Sequence, residues 1–155
     1  MKIILCCVGT LKQAHLIEGT RLFEKRLTHY NSFEIRVITP AKARLNDPLK
    51  SVADEGREIM EQLKAIDFVV LLDENGKEFS SVGFATLINS RMNSGIRSLG
   101  FVIGGAYGVS EEVRKESDLV MGLSSMTFTH EMARFFFTEQ LYRAFTILRS
   151  EKYHH

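Results

Sequence analysis

The sequence predicts an α/β fold, a mostly parallel β-sheet flanked by helices. Three observations carry this. Short apolar runs alternate with stretches of helical periodicity from end to end. Several runs, such as Lys2–Val8 and Phe68–Leu72, are apolar at nearly every position, as expected of strands covered on both faces. No internal repeat and no linker rich in Pro, Gly or Ser divides the chain, so one α/β domain is expected over residues 1–155. A chain of this length buries roughly 70% of the surface it exposes when unfolded.

The elements follow in order. Lys2–Val8 reads as a first strand. Ala14–Tyr30 carries apolar residues at 16, 17, 22, 23 and 27, a helical spacing. Phe33–Ile38 alternates as a strand and stops at Pro40. Asp47-Pro48 opens a long acidic helix to about Lys64. Phe68–Leu72 is a buried strand, and Ser80 or Ser81 can cap a helix to about Asn93. Leu99–Ile103 is a fourth strand, after which Gly104–Gly108 turns the chain and Ser110-Glu111-Glu112 begins a short helix. Asp118–Met121 is a fifth strand, and a long helix covers about Glu131–Leu148.

The net charge is +1, from 20 Lys+Arg against 19 Asp+Glu, which argues against holding nucleic acid by bulk electrostatics alone. The distribution is uneven: residues 1–50 carry a net +5, residues 51–90 a net −5 and residues 91–155 a net +1. Such charges ordinarily mark solvated helix faces. The alternative is a basic N-terminal edge, formed by Arg21, Lys25, Arg26, Arg36, Lys42, Arg44 and Lys50, that faces a polyanion. No apolar run approaches the ~18–20 residues of a membrane span, and the apolar N-terminus reaches Gly9-Thr10 without a small-residue cleavage site. Cys6 and Cys7 are adjacent in a strand, so they point to opposite faces and do not bridge each other. They suit a reducing, cytoplasmic setting.

Sheets of this kind bind ligands beyond the carboxyl ends of their strands. The candidate loops are therefore Gly9–Lys12, Pro40–Asp47, Asp73–Lys77, Gly104–Gly108 and Leu123–His130. The GGAYG turn is neither GxGxxG nor placed after the first strand, and no GxxxxGK[ST] occurs, so dinucleotide and P-loop chemistry are disfavoured. A receiver domain would need an acidic pair after its first strand, where this chain has Val8-Gly9-Thr10. The five histidines form no HExxH, and no CxxC or other ligand spacing appears, so no metal is expected.

The stretch LSSMTFTHEMARFFFTEQLYRAFTI is the most informative. Leu123–Phe128 is too irregular for helix or strand and suggests an ordered loop with backbone groups facing a ligand. His130, Arg134, Thr138 and Tyr142 share one helix face, and Phe137, Leu141, Phe145 and Leu148 another. Phe135, Phe136 and Phe137 point in three directions, so the helix needs a second apolar neighbour. A symmetric dimer would supply one, and a covering loop is the alternative. Glu139 and Arg143 have the spacing of a simple helix ion pair. Arg134, on a helix otherwise apolar, calls for a carboxylate or an anionic ligand.

Taken together and in order, VIGGAYGVSEEV, LSSMTFTHEMAR, EQLYRAFTI and the terminal YHH resemble the ribosomal RNA large-subunit methyltransferase H family, SPOUT-class enzymes dependent on S-adenosylmethionine. The similarity covers essentially the whole chain, including the opening strand ending in VGT and the segment LLDENGKEFSS. The resemblance implies a C-terminal deep trefoil knot, an exception to un-knotted topology, and a homodimer. It implies cofactor contacts at Leu72, at Gly104 and Gly105, and along Leu123, Ser124, Ser125, Met126, Thr127 and Phe128. His130, Arg134 and Arg143 match the family's knot helix, in RNA- or dimer-related positions. Tyr153 and His154 match its C-terminal motif, and with His155 they are the catalytic candidates.

The reaction implied is methylation of N3 of a pseudouridine in 23S rRNA on the assembled ribosome, with neither metal nor membrane involved. That imide nitrogen must lose its proton to attack, so His154 is expected to manage the proton and Tyr153 to position or stack the base. His155 stands where relatives often carry Arg or Lys, which makes any charge at that position pH-dependent. Two other readings are a SPOUT enzyme acting on another RNA such as tRNA, and a module that binds a nucleotide-like ligand without catalysis. The length leaves room for a catalytic domain and no separate RNA-binding one, which favours a substrate that supplies much of the binding surface itself.

Overall fold

The computed structural model describes residues 1–40 and 47–153. The elements are β1 (Lys2–Val8), α1 (Ala14–Leu27), β2 (Phe33–Ile38), α2 (Pro48–Leu63), β3 (Phe68–Glu78), α3 (Ser81–Asn93), β4 (Ser98–Ile103), α4 (Glu111–Lys115), β5 (Leu119–Gly122) and α5 (His130–Leu148). The strands form one five-stranded sheet in the order β2-β1-β4-β3-β5. Every pairing is parallel, as the alternation of strands and helices requires.

Period-two alternation divides the core between the faces. Ile3, Leu5 and Cys7 of β1 join Phe101, Phe137 and Leu141 in one cluster, and Ile4, Cys6 and Val8 join Ile59, Val102 and Val113 in the other. Helices α1, α3 and α5 cover the first face, and α2 and α4 the second. All six positions of β4 are buried. The two thiols therefore lie on opposite faces, and burial pushes both up to about 11.

Caps set the helix starts. Asp47 accepts from Lys50 N at 3.0 Å, with Pro48 in the first turn where its missing N–H costs nothing. Ser80 accepts from Gly83 N at 3.0 Å, and Thr129 from Met132 N at 3.2 Å, which starts α5 at His130. Helix α1 stops at Leu27, short of the expected Tyr30. There His29 N donates to Arg26 O and Tyr30 N to Leu27 O, a tightening typical of helix ends. Tyr30 stacks instead on Phe145, with centroids 5.7 Å apart.

The largest departure from the sequence reading is β3. Its pairing with β5 shifts between Leu72 and Lys77, so the chain bulges out and Lys77 and Glu78 return to pair with Met121 and Gly122. Gly76 permits this, because a Cβ there would stand 2.5 Å from the Met121 carbonyl carbon. The expected open loop Asp73–Lys77 is thus a bulge closed at both ends.

Helix α5 finds its second apolar neighbour within the chain. It packs on both α1 and α3 as well as on the sheet. Phe137 lies 4.5 Å from Phe101, Phe135 tilts against Phe23 over Gly19, and Phe136 meets Phe128. The three phenylalanines point three ways, as expected, but their partners are intramolecular. Among the described residues no helix is long and apolar enough to cross a membrane.

Candidate functional site

At the carboxyl ends of β3, β4 and β5 lies a cleft of about 260 Å³. Its floor comes from Leu72, the last residue of β3 before its bulge, and Ile103, the last residue of β4. One wall is the glycine turn after β4, and the other is the loop that leads from β5 into α5. Among the residues carried over from the sequence, Leu72, Gly104, Gly105, Leu123, Ser124, Met126, Thr127 and Phe128 line it, together with His130. Ser125 is exposed and stands off the wall.

The glycine turn is shaped for close approach. Gly105 and Gly108 form an isolated bridge, Gly108 N donates to Gly105 O at 3.1 Å, and Gly108 adopts φ +82°. A Cβ on Gly104 would stand 2.6 Å from Gly108 O, and one on Gly105 would strike the Glu55 carboxylate. Burial pushes that carboxyl above its ordinary range.

Asp73, Glu74 and Asn75 also line the cleft. The strand-end rule reaches their loop, but assigns none of its residues a role in holding a ligand. Asp73 is paired with Arg114 at 2.5 Å, and Glu74 accepts from the Thr127 hydroxyl at 2.6 Å, tying the β3 bulge to the opposite wall. Of the two carboxylates that line the cleft, Asp73 is neutralised by Arg114, and Glu74 has no cationic partner among the lining residues. Among the described residues no group of three or more His, Cys, Asp or Glu is placed to hold a metal ion.

The N-terminal turn of α5 is fastened to the end of β1. Glu131 Oε2 accepts from Lys12 N at 2.8 Å, and this backbone bond, ahead of the cost of burial, holds its carboxyl below the ordinary range. His130 Nε2 would stand 3.8 Å from a Cβ on Gly9. Arg134 is 3% exposed, and its partner is neither a carboxylate nor an anion. Its guanidinium donates to Gly9 O at 2.5 Å and reaches Val8 O at 3.5 Å. Thr138, on the same helix face, is buried and donates back to Arg134 O and Phe135 O, while Tyr142 packs against Phe23.

The expected Glu139–Arg143 ion pair is present at 2.5 Å, and it has a third member. The Tyr153 hydroxyl donates to Glu139 Oε1 at 3.0 Å, its ring lies 4.7 Å beneath the Arg143 guanidinium, and it meets Tyr142 edge-on at 4.8 Å. Burial first, then the Glu139 hydrogen bond and charge, raises the Tyr153 phenol above its usual value. His154 and His155 lie outside the described residues.

The described basic residues of the first third lie on different elements. Arg21 and Lys25 are exposed on α1, and Lys50 on α2 across the sheet. Arg36 pairs with Glu34 at 3.0 Å, and Arg26 lies over the Phe23 and Tyr142 rings. Lys42 and Arg44 lie outside the described residues.

A parallel α/β sheet with its cleft between a glycine turn and an ordered loop before the last helix defines a nucleotide-type binding fold. The family model described as "Predicted SPOUT methyltransferase" matches residues 1–154, and the chain belongs to that family. It is 50% identical over 156 residues to the Ribosomal RNA large subunit methyltransferase H of Christiangramia forsetii, covering 100% of this chain and 99% of that protein. In fold it is similar to a probable methylase family protein from Haemophilus influenzae, with TM-score 0.62 and 11% identity over 99% of this chain and 70% of that one. It is also similar to a Legionella pneumophila methyltransferase solved with bound SAM, with TM-score 0.51 and 11% identity over 93% of this chain and 66% of that one.

Proposed function

We propose that this protein transfers the methyl group of S-adenosylmethionine to N3 of a pseudouridine in 23S rRNA on the assembled ribosome, in the cytoplasm and as a homodimer. The cleft at the ends of β3, β4 and β5 carries this reading, supported by the full-length likeness to proteins named as ribosomal RNA large-subunit methyltransferases. The residues present fit the cofactor. Leu72, Ile103, Leu123 and Phe128 offer apolar contact for an adenine, Ser124, Thr127 and Asn75 offer polar groups, and the Glu74 carboxylate suits a sulfonium cation.

When bound, the cofactor supplies an already activated methyl group, so the protein's work is alignment and proton management. Gly104 and Gly105 let the β4 turn close on itself and against Glu55, which sets the shape of the backbone wall that the ligand meets. The Glu74–Thr127 bond holds the two walls at a set separation. Tyr153, its hydroxyl committed to Glu139, positions or stacks the base and leaves the handling of the proton to His154. His155 adds a charge that depends on pH.

The site is completed between subunits. Tyr153 is docked on Glu139, nine residues along α5 from the cleft residue His130, and at 1.5 Å per residue that is about 14 Å. A tail held there is remote from its own cleft, and a symmetric partner would bring it to the other one. The knotted passage of the C-terminal segment belongs to the same reading.

Labelled cofactor offered with free rRNA, isolated subunits, whole ribosomes and tRNA tests the assignment. Transfer to ribosomal RNA in the assembled particle is the expected result. Transfer only to free tRNA would overturn the substrate, and cofactor binding with no transfer at all would leave a binding module.

A further inference from the structure

Four tyrosines occur in the chain. Three are packed among other rings: Tyr30 on Tyr142 and Phe145, Tyr142 on Phe23, and Tyr153 on Tyr142. Tyr107 differs. It is 52% exposed, and among the described residues no ring, ion pair or hydrogen bond engages it.

Its exposure is not that of a loose loop. Ala106 and Tyr107 form the tip of the turn closed by the Gly105–Gly108 bridge. The turn is folded tightly on itself: a Cβ on Gly104 would strike Gly108 O and Val109, and one on Gly105 would strike Glu55. The turn is one wall of the cleft, and Tyr107 sits at its tip between the lining residues Ala106 and Gly108 without lining the cleft itself. The facing wall carries Met126, which is 71% exposed. Two of the large exposed apolar side chains thus belong to the two walls of one cleft.

An aromatic ring on a rigid tip has few rotatable bonds to order and presents a face at low entropic cost. Unpaired RNA bases are recognised by stacking on such rings, whatever their sequence. We propose that Tyr107 is a stacking platform for an unpaired base of the RNA substrate at the mouth of the cleft, with Met126 giving a soft apolar contact from the facing wall. This rests on the RNA methyltransferase reading above and adds a substrate-contacting residue to it. A stacked base there would hold the RNA strand beside the cofactor cleft while the neighbouring target nucleotide enters.

The test compares Y107A, Y107F and Y107W in steady-state methylation of ribosomes, alongside calorimetric titration with S-adenosylmethionine and light-scattering mass. Y107A is expected to raise KM for the ribosomal substrate roughly ten-fold, the scale of one lost base stack. Its kcat, cofactor affinity and subunit mass should stay near wild type, and Y107F should restore the KM. The chain contains no tryptophan, so Y107W carries a single reporter. Its fluorescence should be quenched when the RNA substrate is added. An unchanged KM in Y107A, an equal defect in Y107F, or an unquenched Y107W would each overturn the assignment. So would a change of subunit mass in Y107A, which would place the ring against a second copy. Active wild type with any of these results leaves the methyltransferase reading standing, whereas inactive wild type on every RNA removes that reading and the stacking role with it.

Discussion

Arg134 of α5 donates from its guanidinium to the carbonyl oxygen of Gly9, 125 residues earlier in the chain, at 2.5 Å. The bond ties the start of the last helix to the end of the first strand. Gly9 has φ +79°, so the turn there bends the β1 carbonyls away from the sheet, and the guanidinium meets them.

Removing that cation leaves buried carbonyls unsatisfied. Arg134→Met is expected to lower stability by about 2–3 kcal/mol, the scale of a hydrogen bond to a charged group. Urea unfolding at fixed protein concentration measures it. A loss below about 0.5 kcal/mol, typical of an ordinary surface substitution, would mean that the tie contributes little.

The glycine turn makes a sharper prediction about the ligand. Gly104→Ala places a methyl 2.6 Å from Gly108 O and 2.7 Å from a Val109 methyl, so the turn must shift into the cleft or away from it. Calorimetry should show affinity for S-adenosylmethionine falling by about ten-fold or more, equivalent to ~1.4 kcal/mol. Retained affinity would place the cofactor elsewhere.

If the tail of one subunit serves the cleft of the other, two impaired variants should rescue each other at a cofactor concentration well below what Gly104→Ala needs. Gly104→Ala keeps its tail, and a chain truncated after Lys152 keeps its cleft. Equal mixing under subunit exchange is expected to restore about a quarter of wild-type transfer, because half the dimers are mixed and each has one complete site. No recovery would mean that each tail works on its own cleft.

Alkaline pH probes two partly buried phenols. Tyr30 and Tyr153 both have pKa values raised, each chiefly by burial and then by hydrogen bonding to a carboxylate. A raised value means that the folded state holds its proton more tightly. The stability contributed is complete below the unfolded value of 10.0 and is lost as pH rises through the folded value. Urea midpoints should therefore fall above about pH 10, and less steeply in Tyr30→Phe and Tyr153→Phe. Equal slopes in all three proteins would exclude these phenols as the cause.

The thiols give an independent measure of the core. Burial raises Cys6 and Cys7 to about 11, so few thiolates exist at neutral pH. A thiol-specific chromogenic reagent should react with the native protein only at the rate of opening, and with both cysteines at once in denaturant. Rapid native labelling would show that β1 is less enclosed than it is drawn here.

Much of the fold was legible. β1 and β4 read directly, because a strand covered on both faces is apolar throughout. The caps Asp47, Ser80 and Ser110 read equally well, each acting on a backbone N–H three residues on. The return of Lys77 and Glu78 to the sheet was not legible. Two charged residues after a bulge carry no periodic signal, and only pairing with Met121 and Gly122 makes them strand. At the site, the strand-end rule found the cleft walls, and the helix spacing found Glu139 with Arg143. Neither could find Tyr153 as their third member, or give Arg134 a backbone partner, because those contacts join segments distant in the chain.

By itself, then, the sequence determined the alternation of strand and helix, the capped helix starts, the opposite faces of Cys6 and Cys7, and the family. Each of these is written in spacings of two to four residues or in contiguous motifs. The tertiary structure alone decided the order β2-β1-β4-β3-β5, which brings the ends of β3, β4 and β5 together as one cleft. It also decided that α5 is covered by α1 and α3. Many strand orders satisfy the same local periodicity. The one adopted is selected by how whole buried faces pack and by which distant backbone groups, such as Gly9 O, are left for Arg134 to satisfy.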